Sequence, residues 1–508
     1  MHDCLLHTFS PGNGGRSQDL ERSYKTDQDT PTEKHSKSNM SDWNKGSEKE
    51  AFEAGHLKPL DSHNAELLNK THPYKYVNPE PKELYNLVVI GAGAGGLVTA
   101  AQAAKRGAKV ALIEKELMGG DCLNIGCVPS KALLACAKRA AAARHSASSK
   151  YGVNIKGGDS STTVDFSYVM KRMRELRAEI ATNDSVQRFT KLGVDVYIGT
   201  GEFSAEEKKT VLVNGKIKLR YVKACIATGG RAYVPNIEGI DKVPYVTNKT
   251  LFNVTEVPRR LAIIGGGPIG CEMAQAFARF GSKVVVFEKH PQPLRREDPD
   301  AAKVLIEAME RDGIVFRPNT AFRRVEKKDD EITIFHSDTK TKKEDETKCD
   351  LLLIATGRAP NVDGIGLNHV NVKFDRRSGV QVDDFLRTSN PDIYAVGDVC
   401  LAEKFTHMAG ETGVMVCKNA VFGGQEKYSD RVIPWVTYTQ PEIAHVGKYE
   451  SELKPGTFRT YVLCLFLSFL PSFIQQQQQQ QIHIRFRTQR SLYRGGNTRG
   501  FRSNSHWF

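Results

Sequence analysis

The chain has 508 residues, of which 40% are hydrophobic and 26% charged, so it has an ordinary globular composition and enough length for two to four domains. Its net charge of +13 is concentrated at one end, because Lys454 and seven later arginines supply eight positive charges and no Asp or Glu follows residue 452. Residues 1–452 therefore have a net charge of only +5, and we expect no nucleic-acid partner.

The cysteines and the apolar runs indicate in which cellular compartment the protein lies. Ten cysteines scattered over the chain do not form a disulfide framework, which favours a reducing environment. The apolar run 461–474 is fourteen residues long and broken by Pro471, so it is too short to cross a bilayer. The chain opens without a secretory signal, and its early acidic residues argue against a mitochondrial presequence. We therefore predict a cytoplasmic protein with no membrane partner, with the mitochondrion as the alternative.

The first 82 residues form a polar stretch with no sustained apolar periodicity. Such a segment cannot bury enough apolar surface to offset the entropy of ordering it. We therefore predict a disordered N-terminal arm over residues 1–82, with at most a short helix within residues 51–69.

A nucleotide-binding motif follows directly. A buried-type strand at residues 87–90 leads into Gly91, Gly93 and Gly96 of a GxGxxG pattern, and a helical stretch follows. A second strand ends in Glu114, 23 residues after Gly91. The glycines would let backbone N–H groups approach a pyrophosphate at the helix N-terminus, and the acid would accept hydrogen bonds from ribose hydroxyls. The pattern predicts a dinucleotide site.

The next motif, GGDCLNIGCVPSK at residues 119–131, contains Cys122 and Cys127. In a regular helix residues five apart are separated by about 8–9 Å at Cα, whereas a disulfide needs less than about 7 Å. The pair can bridge only across a distorted backbone, which the glycines and Pro129 permit. A strained bridge is easily reduced, so the motif favours a redox pair. The alternative is two buried thiols; no second Cys/His pair follows, so no metal site is expected.

The nucleotide-binding pattern then repeats. A strand at residues 261–264 enters Gly265, Gly267 and Gly270, and the next strand leads to Glu288, again 23 residues after the first glycine. Because one cofactor needs only one pyrophosphate site, two copies predict two different nucleotides. The alternative is that one copy is only a packing unit.

Glycine turns close several strands. Thr228 and Gly229 follow the strand near residues 221–226, and Gly357 follows another near 351–354. Asp398 lies just beyond a third strand, at the carboxyl end where ligands bind in open α/β sheets. The alternative for Asp398 is an ordinary turn aspartate.

Together these motifs resemble the class I pyridine nucleotide–disulphide oxidoreductases, which include dihydrolipoamide dehydrogenase, glutathione reductase and mercuric reductase. The resemblance covers about residues 85–447 and is greatest to mercuric reductase-like proteins, through GGDCLNIGCVPSKAL, GGGPIGCEMAQAFARFG and PWVTYTQPEIAHVG. It implies an α/β fold with two Rossmann-like, doubly wound nucleotide-binding domains and a remnant of an α+β dimerisation domain.

The resemblance also implies residue roles. Cys127 would be the charge-transfer thiolate beside the flavin, and Cys122 the interchange thiol that meets substrate. Lys131 and Glu272 match the ion pair near flavin N5, and His407 lies in the helix start that approaches the flavin. The first glycine repeat, Glu114 and Asp398 would hold FAD, and the second repeat with Glu288 would hold NADH or NADPH. The remaining cofactor contacts are predicted at Lys131, Thr228, Gly229 and Gly357.

The predicted division of the chain is an arm (1–82), an FAD-binding domain in two parts (83–230 and 351–431) around a NAD(P)-binding domain (231–350), the start of a truncated dimerisation domain (432–452) and a basic low-complexity tail (453–508). Two features typical of mercuric reductases, an N-terminal GMTCxxC domain and a C-terminal vicinal cysteine pair, do not occur in this sequence. The family is homodimeric, but with the third domain truncated we expect weak dimerisation here.

The predicted function is an NAD(P)H-dependent flavin disulfide oxidoreductase that passes electrons through FAD and the cysteine pair to a small disulfide or other acceptor. One alternative is reduction of Hg(II). Another is an inactive or diaphorase-only flavoprotein, since the usual acid–base histidine and glutamate belong to the third domain. Glu288 favours NADH by repelling a 2′-phosphate, whereas the adjacent Lys289 weakens that preference.

Overall fold

The computed structural model describes residues 57–146, 163–449 and 452. Residues 1–56 of the predicted arm and the predicted tail at 453–508 lie outside the described residues. None of the described helices is long and apolar enough to span a membrane.

The helices, in chain order, are α1 (Ser62–Thr71), α2 (Ala94–Ala104), α3 (Gly120–Asn124), α4 (Cys127–Ser146), α5 (Phe166–Ile180), α6 (Val186–Lys191), α7 (Asn248–Leu251), α8 (Pro268–Phe280), α9 (Pro299–Arg311) and α10 (Thr406–Val421). The strands are β1 (Tyr85–Ile90), β2 (Val110–Glu114), β3 (Val194–Ile198), β4 (Gly201–Phe203), β5 (Thr210–Val213), β6 (Ile217–Ile226), β7 (Gly230–Ala232), β8 (Arg260–Ile264), β9 (Lys283–Phe287), β10 (Val315–Arg317), β11 (Thr320–Lys328), β12 (Glu331–Asp338), β13 (Glu344–Cys349), β14 (Leu351–Ile354), β15 (Arg358–Pro360), β16 (Phe374–Asp375), β17 (Gly379–Val380), β18 (Ile393–Ala395), β19 (Pro434–Thr437) and β20 (Ile443–Val446).

The first large sheet has seven strands. Its parallel part runs β3-β2-β1-β6, with β18 also parallel to β6, and β5 and β4 continue from β6 in antiparallel order. Strand β2 is buried along its whole length, as a parallel strand covered on both faces should be. Helix α2 packs against α10, where the Thr99 hydroxyl donates to the Gly413 carbonyl at 3.3 Å. The sheet is the frame of a Rossmann-like fold.

The second sheet repeats this plan on a smaller scale. Its four strands are parallel in the order β10-β9-β8-β14, and a three-stranded antiparallel sheet, β11-β12-β13, lies beside it. Helix α8 buries ten residues of its thirteen, which matches its position over the sheet. The chain thus contains two Rossmann-like units, as predicted. A short β19–β20 hairpin follows them.

The two units are connected twice. The chain leaves the first sheet through β7 and returns from the second through β15, and these two strands pair with each other. The turns that carry Thr228, Gly229 and Gly357 precede these strands, so both predicted glycine turns lie at the crossing between the two sheets.

The prediction of disorder is wrong for residues 57–82. Helix α1 forms at residues 62–71, with the Asp61 side chain accepting a hydrogen bond from the Asn64 N–H at its start. Leu67 and Leu68 are buried in a cluster with Leu57. The arm has too few apolar residues to fold alone, but these three side chains find apolar partners from distant helices.

Candidate active site

Each Rossmann-like unit ends one strand with a glutamate that closes the glycine loop. Glu114 accepts a hydrogen bond from the Ala92 N–H at 2.7 Å, and Glu288 accepts one from the Gly266 N–H at 2.9 Å. Each carboxylate also binds the N–H two residues further along, in Glu116 and His290. Burial raises the pKa of Glu114 above its ordinary value, although both N–H groups favour the charged form. The two sites therefore have the same construction.

The three glycines of each repeat have different surroundings. A Cβ on Gly96 would lie 1.8 Å from the Gly91 carbonyl oxygen, and one on Gly270 would lie 1.9 Å from that of Gly265, so these glycines permit close helix–strand packing. A Cβ on Gly267 would meet nothing within 4 Å, and one on Gly93 only the Gly120 Cα at 3.8 Å. The second glycines cap α8 and α2 at their N-termini. This open space at a helix N-terminus fits a pyrophosphate in both repeats.

The cysteine motif interrupts the helical path, as its spacing required. Cys122 lies on α3 and Cys127 begins α4, and the chain between the two helices contains Gly126. Both cysteines are free thiols here, and both are partly buried. The Cys127 Sγ lies 3.1 Å from the Thr406 hydroxyl at the start of α10. Helix α10 thereby brings a hydrogen-bonding group to the cysteine from almost 280 residues away.

The two thiols differ in acidity. A hydrogen bond from Cys122 lowers the pKa of Cys127, and the Thr406 hydroxyl and the charge of Lys131 lower it further against the effect of burial. The same hydrogen bond, together with burial, raises the pKa of Cys122. The opposite shifts make Cys127 the more acidic thiol of the pair.

Lys131 and Glu272 meet between the two units. The Lys131 ammonium lies 3.3 Å from Glu272 Oε2, with the lysine 27% and the glutamate 7% exposed along their side chains. Glu272 also accepts the Tyr438 N–H at 3.0 Å, and the ammonium lies 4.2 Å from the centre of the Tyr438 ring. Because Lys131 is one helical turn after Cys127 on α4, the lysine of the ion pair lies on the same helix as Cys127, whereas Glu272 lies on α8.

Asp398 belongs to a partly buried ionic network. Arg358 donates to Asp398 at 2.8 Å, to the Gly230 carbonyl at 2.8 Å and to Asp121 of the cysteine motif. Burial raises the pKa of Asp121, while the arginine opposes this effect. One guanidinium thus neutralises two carboxylates beside the first glycine loop, which would otherwise repel an anionic ligand.

The remaining predicted contacts lie around these groups. Thr228 donates to the Asn361 carbonyl at 2.7 Å, which connects the first crossing turn to the residue that follows β15. Gly229 and Gly357 both have positive φ, and a Cβ on either would meet nothing within 4 Å. His407 is exposed; its Nε2 lies 2.7 Å from the Pro434 carbonyl, and its ring stacks on Phe405.

Four further site residues were given no individual role from sequence: Asp121, Arg358, Thr406 and Tyr438. All four lie inside or next to stretches named in the sequence analysis, yet nothing in the sequence pairs Asp121 with Arg358. Among the described residues, no group of three or more His, Cys, Asp or Glu side chains could hold a metal ion.

The family model for pyridine nucleotide-disulphide oxidoreductases matches residues 85–424, and the chain belongs to this family. Among curated relatives, mercuric reductase of Bacillus cereus is 33% identical over 395 residues, covering 78% of this chain and 61% of its own length. Mercuric reductase of Streptomyces lividans is 34% identical, covering 76% of this chain and 80% of its own. Dihydrolipoyl dehydrogenase of Chlamydia muridarum is 33% identical, covering 72% and 76%.

A solved structure has a similar fold. The HOCl-induced flavoprotein disulfide reductase RclA from Escherichia coli superposes with a TM-score of 0.65 at 28% identity, over 75% of this chain and 81% of that one. This chain spans less than two thirds of the length of the Bacillus cereus enzyme.

Proposed function

We propose that this chain is an FAD-dependent oxidoreductase that passes electrons from NAD(P)H to the Cys122–Cys127 pair and on to a disulfide acceptor. The observation that carries the proposal is the position of Cys127, the more acidic thiol, on the helix that also carries Lys131 of the Lys131–Glu272 ion pair. Two glycine loops of the same construction, one in each Rossmann-like unit, would hold the two nucleotides. The balanced reaction would convert NAD(P)H, one proton and one disulfide into NAD(P)⁺ and two thiols.

The residues would divide the work. Gly93 would leave room for the pyrophosphate of FAD, Glu114 would accept its ribose hydroxyls, and Asp398 would be a further FAD contact. Bound FAD would take hydride from the nicotinamide and deliver two electrons to the cysteine pair. Cys127 would remain a thiolate beside the cofactor, and Cys122, the protonated thiol, would ionise to attack the acceptor disulfide. Lys131 would stabilise negative charge on the reduced flavin, and Glu272 would offset the free-energy cost of burying the Lys131 ammonium.

NADH is the donor that we propose. The carboxylates of Glu288 and Glu114 accept the same two kinds of backbone hydrogen bond, one from the glycine loop and one from the residue two positions further along. Glu114 would face the unmodified ribose of FAD. A carboxylate in that position accepts ribose hydroxyls and repels a 2′-phosphate. The neighbouring Lys289 is the one feature that would favour NADPH.

Hg(II) reduction is the second candidate. Two adjacent thiols are soft ligands of the kind that soft metal ions prefer, and two relatives described above are mercuric reductases. The reducing compartment, the predicted domain boundaries and the predicted weak dimerisation remain predictions.

The test begins with the purified flavoprotein under anaerobic conditions. NADH should bleach the flavin absorbance and produce a long-wavelength band from the thiolate–flavin pair. Cys127→Ser should lose this band, whereas Cys122→Ser should keep it and lose turnover of a disulfide. An unchanged band in Cys127→Ser would show that the thiolate assignment is wrong.

The acceptor is identified by a second measurement. NADH oxidation is followed with lipoamide, glutathione disulfide, Hg(II) with excess thiol, and a quinone dye, each with wild type and Cys122→Ser. A disulfide reductase should lose only the disulfide reaction in the variant, and a mercuric reductase the Hg(II) reaction. Dye reduction alone in the wild type would support the diaphorase alternative.

A further inference from the structure

Helix α1 precedes the region matched by the family, yet it lies directly behind the cysteine motif. Leu123, which follows Cys122, is 1% exposed and packs in one cluster with Leu67 and Leu68 of α1. At the other end of the motif, the Met118 N–H donates to the Thr71 carbonyl at 3.2 Å. Segment 117–124, which carries Cys122, is thus held by α1 at both ends.

A buried arginine connects the same two parts. Arg177 on α5 is fully buried, and its Nη1 donates to the Asn124 carbonyl at 2.7 Å. Its Nη2 donates to Asn64 Oδ1 on α1 at 2.7 Å, and Asn64 is also fully buried. Asn124 in turn binds back to the Gly120 carbonyl at 2.9 Å through its side-chain amide. A continuous polar chain therefore runs from α1 to the segment between the two cysteines.

Stability does not explain this arginine well. Within the described ranges it forms no ion pair, and its Nε has no hydrogen-bond partner. The nearby Asp61 is paired with Arg174 at 2.6 Å. Burial lowers the pKa of Arg177 to about 10, which marks the unfavourable environment of the charge. A Leu or Met would fill the surrounding apolar cluster without that penalty.

We propose that Arg177 and Asn64 are positioning residues for the redox pair, which keep segment 117–124 and Cys122 fixed against Cys127 through α1. The inference rests on the proposed function of the pair. The break between α3 and α4 already brings the two thiols into hydrogen-bond contact, but forming the S–S bond requires the sulfur atoms to approach further, to about 2.0 Å. The Arg177–Asn64 connection holds segment 117–124 in the dithiol geometry and resists that further movement. It therefore favours the dithiol over the disulfide.

The closing experiment measures this equilibrium. Flavoprotein is equilibrated anaerobically in glutathione buffers, where the disulfide and two glutathione thiols give the dithiol and one glutathione disulfide, and the two forms are counted by alkylation and mass. Arg177→Met should shift the equilibrium toward the disulfide on the order of tenfold, the size of one lost hydrogen bond to a charged group. Asn64→Ala is the milder second variant, and it should shift the equilibrium in the same direction.

Arg174→Met is the matched control. Arg174 lies one turn away on α5 and binds Asp61 at the start of α1, but within the described part of the chain it forms no hydrogen bond or ion pair with segment 117–124. It should leave the equilibrium within twofold of wild type. Equal shifts in the Arg174 and Arg177 variants, or no shift in either, would overturn the proposal.

Hydrogen exchange separates this inference from the proposed function. Amides of residues 117–126 should exchange faster in Arg177→Met and not in Arg174→Met. If the wild type formed no reversible disulfide, the proposed function would fail, and this measurement would still decide the role of Arg177. Unchanged exchange in Arg177→Met would then contradict it.

Discussion

Replacing Thr406 by valine removes one hydrogen bond from the Cys127 sulfur and little else. The Thr406 hydroxyl lies 3.1 Å from Cys127 Sγ, and valine has nearly the same shape without the hydroxyl. This hydroxyl is one of the groups that hold the pKa of Cys127 below its ordinary value. Thr406→Val should therefore raise the pKa of Cys127, so that its thiolate is lost at a higher pH than in the wild type.

The size of the shift follows from the hydrogen bond. A hydrogen bond to a charged group contributes about 1.5–3 kcal/mol, and one pKa unit corresponds to about 1.4 kcal/mol. Because sulfur accepts weakly, the lower end applies, and we expect a rise of about one unit. At a pH below both values, the thiolate fraction and the alkylation rate would fall about tenfold.

The assay is the rate of iodoacetamide labelling of the reduced protein as a function of pH, with tandem mass spectrometry to distinguish Cys127 from Cys122. Thr406→Ser is the control, since it keeps the hydroxyl and should titrate like the wild type. A valine variant that titrates within 0.3 units of the wild type would refute the reasoning, where the threshold is roughly the precision of such titrations. So would a serine variant that shifts as far as valine.

Three further predictions concern the nucleotide sites and a buried acid. Gly267→Ala should raise the KM for NADH and leave the melting temperature unchanged, because its Cβ would enter only the proposed pyrophosphate space. Gly270→Ala should also lower the melting temperature, because its Cβ would meet the Gly265 carbonyl oxygen. An equal decrease of the melting temperature in the two variants would contradict this. Glu288→Gln should reduce the preference for NADH over NADPH in kcat/KM, and an unchanged ratio would remove Glu288 from donor selection. Asp184→Asn should stabilise the protein by about 1–3 kcal/mol at pH 7 and not at pH 4. Burial raises the pKa of Asp184 to about 6, so the stability of the wild type falls as the pH rises from about 4 to 6. Calorimetry that showed no gain at pH 7 would contradict this.

The sequence predicted those parts of the site that depend on short-range residue patterns. The two glycine repeats, their glutamates and the break between Cys122 and Cys127 follow from short-range patterns, and the structure has all of them. The family match supports the fold class to which these patterns pointed.

The parts that sequence did not predict depend on long-range contacts. Arg358 and Asp121 are separated by 237 positions, and Thr406 and Cys127 by 279, so no periodicity could pair them. The sequence allowed at most a short helix within residues 51–69, and α1 forms at residues 62–71. Its polar composition indicates disorder, and distant residues, including Leu117, Leu123, Ala178 and Ala181, supply the apolar surface that it covers.

The functional unit therefore extends beyond the family-matched region in both directions. Before residue 85, α1 packs against the segment that carries Cys122. After residue 424, the Tyr438 N–H binds Glu272, and the Tyr438 ring lies against Lys131. The two flanking segments contact different parts of the proposed electron path. Helix α1 packs against the segment that carries Cys122, and the β19–β20 hairpin contacts the Lys131–Glu272 ion pair. A fragment limited to residues 85–424 would keep both proposed nucleotide sites but leave the thiols and the Lys131–Glu272 pair without these supports. We therefore expect cofactor binding and thiol chemistry to be separable in it.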